Sequence, residues 1–265
     1  MDPESIPKLF PAIIEGTLAL KLLGPSADYL GQELQSWTEK RLTNLRRIFE
    51  NAESKLGDRI INKGTVHPKV LKEILEDGSF ADDELATEYF GGVLASSRTP
   101  NLRDDRGVGF AKLVDGMTSY QTRSHFFFYS AIRTAYLGAG SKIREQELFI
   151  PDEAYKSALD FSADEDFDEL EQHSLAGLKS LALISLFSVS GSKARLKELG
   201  YNVPGSGLLI GPSNRGIELF LWAHGLGQLG IEALLDPATE FKSNVMLPRV
   251  EGIVLALNYK EDSSP

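Results

Sequence analysis

The fold class this sequence predicts is mainly α, with an N-terminal helical domain (1–140), an acidic linker (141–171) and a smaller C-terminal α+β domain (172–265). The C-terminal part is read as helical with a small hairpin, an order of elements compatible with a winged-helix-like domain. Three observations predict this. Apolar residues recur every three or four positions through most of the first 137 residues, the spacing of one helix face. The whole formal net charge of −10 falls in one segment, because 145–171 holds eleven Asp or Glu against one Lys, Lys156, and the rest of the chain balances to zero. Beyond Gly200, short apolar runs are bracketed by turn residues, as in YNVPGSGLLIGPSNRG, which suits small strands.

A chain of 265 residues that is 42% hydrophobic is long enough for a sizeable core. It has no cysteine, which excludes disulfides, thiolate metal sites and a cysteine nucleophile. MDPESIPKLF lacks the basic start of a signal peptide, and no run of about eighteen apolar residues occurs. A soluble cytoplasmic protein with no stable membrane span is therefore expected. The acidic balance is local, so basic clusters elsewhere keep their potential for anion contact.

Taken in order, 9–23 (LFPAIIEGTLALKLL) reads as a largely apolar helix, broken by Gly24-Pro25. A second helix runs from Pro25 to about Leu56, its apolar stripe including Leu42, Leu45, Ile48, Phe49 and Ala52 and its other face Lys40, Arg41, Arg46, Arg47 and Glu50. His67-Pro68 opens a short helix over 69–76. The stretch 82–98 (DDELATEYFGGVLASSR) reads as a central core helix, with Ser79 or Asp82 as its cap and the acids set against the positive end of the dipole. Gly91-Gly92 lowers helix propensity, and predicts that another backbone, that of 41–56, passes close by.

The loop 99–109, with Arg98, Arg103 and Arg106 beside Asp104 and Asp105, reads as a surface charge network. The segment 110–137 gives two helices, or one interrupted at Gly116, with His125 a satisfied histidine at the edge of the aromatic run Phe126 to Tyr129. An apolar helix over 173–187 is followed by a turn and a short basic helix from Lys193 to Leu199. The run Leu208, Leu209, Ile210 reads as a hairpin or wing strand that pairs with a tail strand in 249–259.

Motifs exclude more chemistry than they suggest. There is no G-x-S-x-G elbow, phosphate loop or H-E-x-x-H. Asp164, Asp166 and Asp168 mimic the start of a calcium loop, but Glu169 stands where it needs Gly and Leu175 where it needs Glu. Residues 225–230 (GLGQLG) match G-x-G-x-x-G after a helix instead of a strand, the wrong context for a dinucleotide. His67, His125, His173 and His224 have no ligand-spaced partners, so neither a metal nor a cofactor is expected.

The first half resembles the Abi-alpha family of bacterial abortive-infection proteins over roughly 20–137. The resemblance lies in GPSADYLG (Pro25, Gly31), RLTNLRRIFENAESKL, the His67-Pro68 helix entry and DDELATEYFGGVLASS, whose acidic start and Leu-Ala-Ser close match the family. The family usually carries a leucine where Gly91, Gly92 or Val93 stands here. The resemblance implies anti-phage defence and supplies no catalytic residues. The leading expectation is a non-enzymatic regulatory or effector module working through a protein partner or homo-oligomer, with nucleic-acid contact at Lys193, Arg195 and Lys197. The alternatives are a nuclease-type enzyme built from Arg46, Arg47, Glu50 and Asn51 with His67 or Ser96, and a membrane-active toxin using 6–23.

Overall fold

A computed structural model of the chain describes residues 39–81, 83–139, 147–162, 164–246 and 252–256. The helix expected over 9–23, the start of the second helix, Asp82 and the end of the tail lie outside the described residues. Two units account for the chain. Unit 1 comprises Met1–Ser119, Leu221–Gly230 and Phe241–Val245, and unit 2 comprises Tyr120–Phe220, Ile231–Glu240 and Met246–Pro265.

Unit 1 is helical. Helix α1 (Glu39–Leu56) buries Leu42, Leu45, Ile48, Phe49, Ala52 and Leu56, the stripe set by their three- and four-residue spacing. A 3-10 turn (Gly57–Ile61) follows. Helix α2 (Pro68–Glu76) begins with proline at its first position, and the His67 side chain accepts a hydrogen bond from Lys69 N–H at 3.2 Å. His67 thus caps α2.

Helix α3 (Glu84–Ser96) is capped by Asp83, whose carboxylate accepts from Leu85 and Ala86 N–H. Ser79 caps nothing here; it accepts from Arg41 and donates to the Glu76 carbonyl. Helix α1 packs most extensively on α3, and the glycine pair shows why. A Cβ on Gly91 would lie 2.6 Å from Asn51 Cβ and 2.9 Å from the Ile48 carbonyl oxygen, so α1 is the close neighbour that the pair predicted. On the other side, a Cβ on Gly92 would lie 1.9 Å from the Ala223 carbonyl oxygen. Helix α4 (Gly107–Asp115) ends at Gly116, so 107–139 is two helices.

Unit 2 joins an aromatic helix to a small sheet. Helix α5 (Ser119–Ala139) buries Phe126, Phe127, Phe128 and Tyr129, and burial of each such side chain contributes about 1.5–3 kcal/mol. Strand β1 (Leu148–Pro151), helix α6 (Asp152–Leu159) and the start of α7 (Phe167–Ser180) arise within 141–171. The stretch expected as a linker therefore supplies a strand with strands on both sides. Leu148, Phe149, Ile150 and Tyr155 are buried, whereas the acids take helix starts: Asp152 and Glu153 in the first turn of α6, Asp166 as the cap of α7. That capping role, with Asp166 accepting from Glu169 N–H at 3.1 Å, also accounts for the calcium-like spacing.

Helix α7 starts before His173 and stops at Ser180, earlier than the expected end at 187. Ala182, at φ 57°, closes it: Leu183 N–H donates to the Leu178 carbonyl at 2.8 Å and Ala182 N–H to that of Lys179 at 2.9 Å, the double bond of a left-handed helix stop. Strand β2 (Val189–Gly191), helix α8 (Lys193–Glu198), strand β3 (Gly207–Ile210), helix α9 (Asn214–Ala223) and strand β4 (Val254–Leu255) follow. All neighbours in the sheet are antiparallel, in the order β2-β3-β1-β4.

The expected hairpin around Leu208 to Ile210 is replaced by this wider pairing. Strand β3 lies between β1 and β2, with Phe149 opposite Leu209, and the tail strand pairs with β1 instead of β3. One face buries Phe149, Leu196, Tyr201, Val203, Leu209 and Ala256. Burial of all four β3 residues requires cover on both sides, which a two-stranded wing would not give.

Candidate functional site

The polar groups of unit 1 converge where α1 faces α3. A cleft of about 360 Å³ is lined by Arg47, Glu50 and Asn51 from α1, Glu84, Thr87 and Glu88 from α3, and Asn244. Positions 47, 50 and 51 share one helix face by their three- and four-residue spacing, as do 84, 87 and 88, so two facing helices present two polar edges to one space. Asn51, Thr87 and Glu88 are buried, and the other four residues are exposed.

Beneath the cleft lies an ion pair between Lys55 and Glu88, whose relative exposures are 4% and 2%. Lys55 also donates to the Lys242 carbonyl at 3.1 Å, and the second Glu88 oxygen accepts from Asn244 N–H at 3.0 Å. Burial pulls the Lys55 pKa below its ordinary value, and the Glu88 carboxylate opposes that shift. A buried pair of this kind persists only when its remaining hydrogen-bonding capacity is met, which residues 242–244 do.

Asn51 is 9% exposed; its Oδ1 accepts from Asn244 Nδ2 at 3.1 Å. Its own Nδ2 donor has no partner among the described residues. Arg47 and Glu84, on opposite edges, form no ion pair among the described residues.

The residues proposed from sequence are only partly united here. Arg47, Glu50 and Asn51 line the cleft, while Arg46 pairs with Glu50 across one exposed helix turn at 2.8 Å. His67 caps α2. Ser96 is held in packing, its hydroxyl donating to the Trp222 carbonyl and accepting from Gly227 N–H, each at 3.0 Å. These bonds explain GLGQLG, which is a helix stop: Gly225 has φ 72° and Leu226 N–H donates to the Leu221 carbonyl at 2.9 Å.

Lys193, Arg195 and Lys197 are all exposed on α8, and Arg195 pairs with Glu198 at 2.9 Å. The loop after α3 forms the expected charge network: Arg106 beside Asp104 holds that carboxyl down at about 2, and Arg106 also donates to Gln228 at 2.9 Å. His125 is fully buried, donates from Nε2 to the Gly216 carbonyl at 3.1 Å and lies with its ring tilted 38° to that of Tyr129, centroids 4.6 Å apart. Burial pushes its pKa down to about 3, so it is a neutral core histidine. Among the described residues, no three His, Asp or Glu are grouped to hold a metal ion, and no helix is long and apolar enough to cross a membrane.

Lys55, Thr87, Glu88 and Asn244 escape the sequence reading. A signal existed for two: Lys55 follows Ala52 by three on the apolar stripe of α1, and Glu88 follows Leu85 by three on the inward face of α3. Paired charges on two buried stripes mark a buried ion pair. Asn244 arrives from a stretch with no periodicity, and nothing local announces it.

No protein-family model matches this chain, and neither the curated proteins nor the solved structures provide a match.

Proposed function

We propose that the chain is a non-enzymatic regulatory or effector module of bacterial anti-phage defence that works by contact with a partner protein or with further copies of itself. The biological setting rests on the resemblance of 20–137 to Abi-alpha proteins. The observation that carries action by contact is the turn joining α7 to β2. Ser188 N–H donates to the Ser185 carbonyl at 3.0 Å and Phe187 N–H to Ser185 Oγ at 3.2 Å, and this fixed turn holds Leu186 and Phe187 outward at 77% and 82% exposure. Adjacent aliphatic and aromatic side chains on a rigid support are the anchors that dominate protein interfaces. The test is phage plaquing on cells expressing the chain or its Leu186→Ser/Phe187→Ser variant. Protection that disappears in the variant, with its melting temperature unchanged, supports the reading; full protection by the variant removes the turn from it, and no protection by the parent removes defence.

A second reading, a nuclease, is favoured by Arg47, Glu50 and Asn51 sharing the cleft. Replacing Arg47 and Glu50 together by Ala would then abolish protection, and undiminished protection excludes it. Nucleic-acid contact through Lys193, Arg195 and Lys197 is supported by their common exposure on α8. It predicts a mobility shift by the full chain that weakens steeply with salt and is lost when all three become Ala.

A further inference from the structure

The cleft between α1 and α3 has properties that neither reading uses. Asn51 is nine-tenths buried as a residue and lines the cleft; Asn244 takes its side-chain oxygen, and its Nδ2, which makes no hydrogen bond among the described residues, keeps its donor capacity for the cleft.

The charges around it are unevenly consumed. Glu88 is matched by Lys55 and Glu50 by Arg46. Among the described residues this leaves one guanidinium, Arg47, on the α1 edge, one helix turn from Asn51, and one carboxylate, Glu84, on the α3 edge. Donors thus line one wall and an acceptor the other, and Glu50 adds negative charge beside them. The volume, about 360 Å³, is that of a small-molecule site.

We propose that this cleft binds a small basic zwitterion of the amino-acid type, its carboxylate held by Asn51 and Arg47 and its cationic end by Glu84. The inference goes beyond the defence reading and does not depend on it. Charge-assisted bonds to a carboxylate at one end and to a cation at the other fix the orientation of such a ligand, and a molecule lacking either end leaves a wall unmatched.

The experiment is calorimetric titration of the full chain with L-arginine, L-lysine, L-glutamate and agmatine, which is arginine without its carboxylate. L-arginine or L-lysine is expected to bind one to one, and agmatine and L-glutamate at least about tenfold more weakly. Asn51→Asp keeps the oxygen that accepts from Asn244 and removes the donor, so it is expected to weaken binding by at least about tenfold. Glu84→Gln, on the exposed edge, perturbs packing less and is expected to weaken it in the same direction, which keeps the test decisive if the first variant unfolds. No heat with either basic amino acid up to about 10 mM overturns the proposal, as does agmatine binding equal to that of arginine. Affinity unchanged in Glu84→Gln overturns it as well.

Discussion

Substituting Gly92 by Ala probes the contact on which the α3 packing turns. The added Cβ would stand 1.9 Å from the Ala223 carbonyl oxygen, whereas an ordinary carbon–oxygen contact is about 3.3 Å. Residues 92 and 223 must therefore separate by about 1.4 Å. Ser96, one turn along α3, bonds both to the Trp222 carbonyl and to Gly227 N–H at 3.0 Å, and a shift of that size breaks both bonds. Overpacking costs about 1–3 kcal/mol and each lost bond about 1 kcal/mol, so the expected loss is about 3–5 kcal/mol. Gly109→Ala is the control, because its Cβ would meet nothing within 4 Å and it lies inside α4. It should gain up to about 1 kcal/mol from helix propensity. Urea unfolding followed by tryptophan fluorescence and circular dichroism measures both, and a Gly92→Ala loss below about 1 kcal/mol refutes the close approach.

Three further outcomes are expected. Lys55→Met strands the buried Glu88 carboxylate and should cost about 3–5 kcal/mol in urea, with part of the loss recovered when Glu88→Gln is added; a double variant no more stable than the single one contradicts the pairing. His125 is held near 3 when folded and regains its ordinary 6.5 when unfolded, so the unfolded chain binds the extra proton. Its stabilising contribution is present above pH 6.5 and declines as pH falls toward 3, by about 2 kcal/mol at pH 5, and His125→Gln should flatten the pH 7 to pH 5 stability difference by that amount. An undiminished slope in the variant assigns the effect elsewhere. Ala182→Gly relieves a left-handed alanine at the end of α7 and should raise the melting temperature, equivalent to about 0.5–1 kcal/mol; a lower value argues against the helix stop described.

Legibility followed the range of the forces. The α1 stripe, the short helix after His67-Pro68 and the break at Gly116 are local, so spacing and breakers reveal them. The glycine pair was legible for a different reason: two adjacent residues of poor helix propensity require a neighbour, and α1 is there. What failed was nonlocal. The acids of 145–171 suggested a linker because composition averages over a segment, whereas Phe149 and Tyr155 are buried by strands and helices distant in sequence. Leu181 to Phe187 continue an apolar run past the true end of α7, and only the backbone bonds around Ala182 end it. At the cleft, three residues of one helix were legible because they share a face. Their counterparts on α3 and at Asn244 were not, since pairing between elements leaves no periodic trace in either.

Unit 1 is made of three separated stretches, and this sets an order on its birth. Lys55 waits for a carbonyl 187 residues downstream and Glu88 for an N–H 156 residues downstream. Both are charged groups destined for the interior. During synthesis the α1–α3 pair therefore emerges long before the residues that complete its hydrogen bonding, and it stays incomplete through the making of nearly all of unit 2. Among the described residues the last of these bonds to the first-made half comes from Asn244, so truncation before that residue should weaken the N-terminal helices as well as removing β4 from the sheet of unit 2.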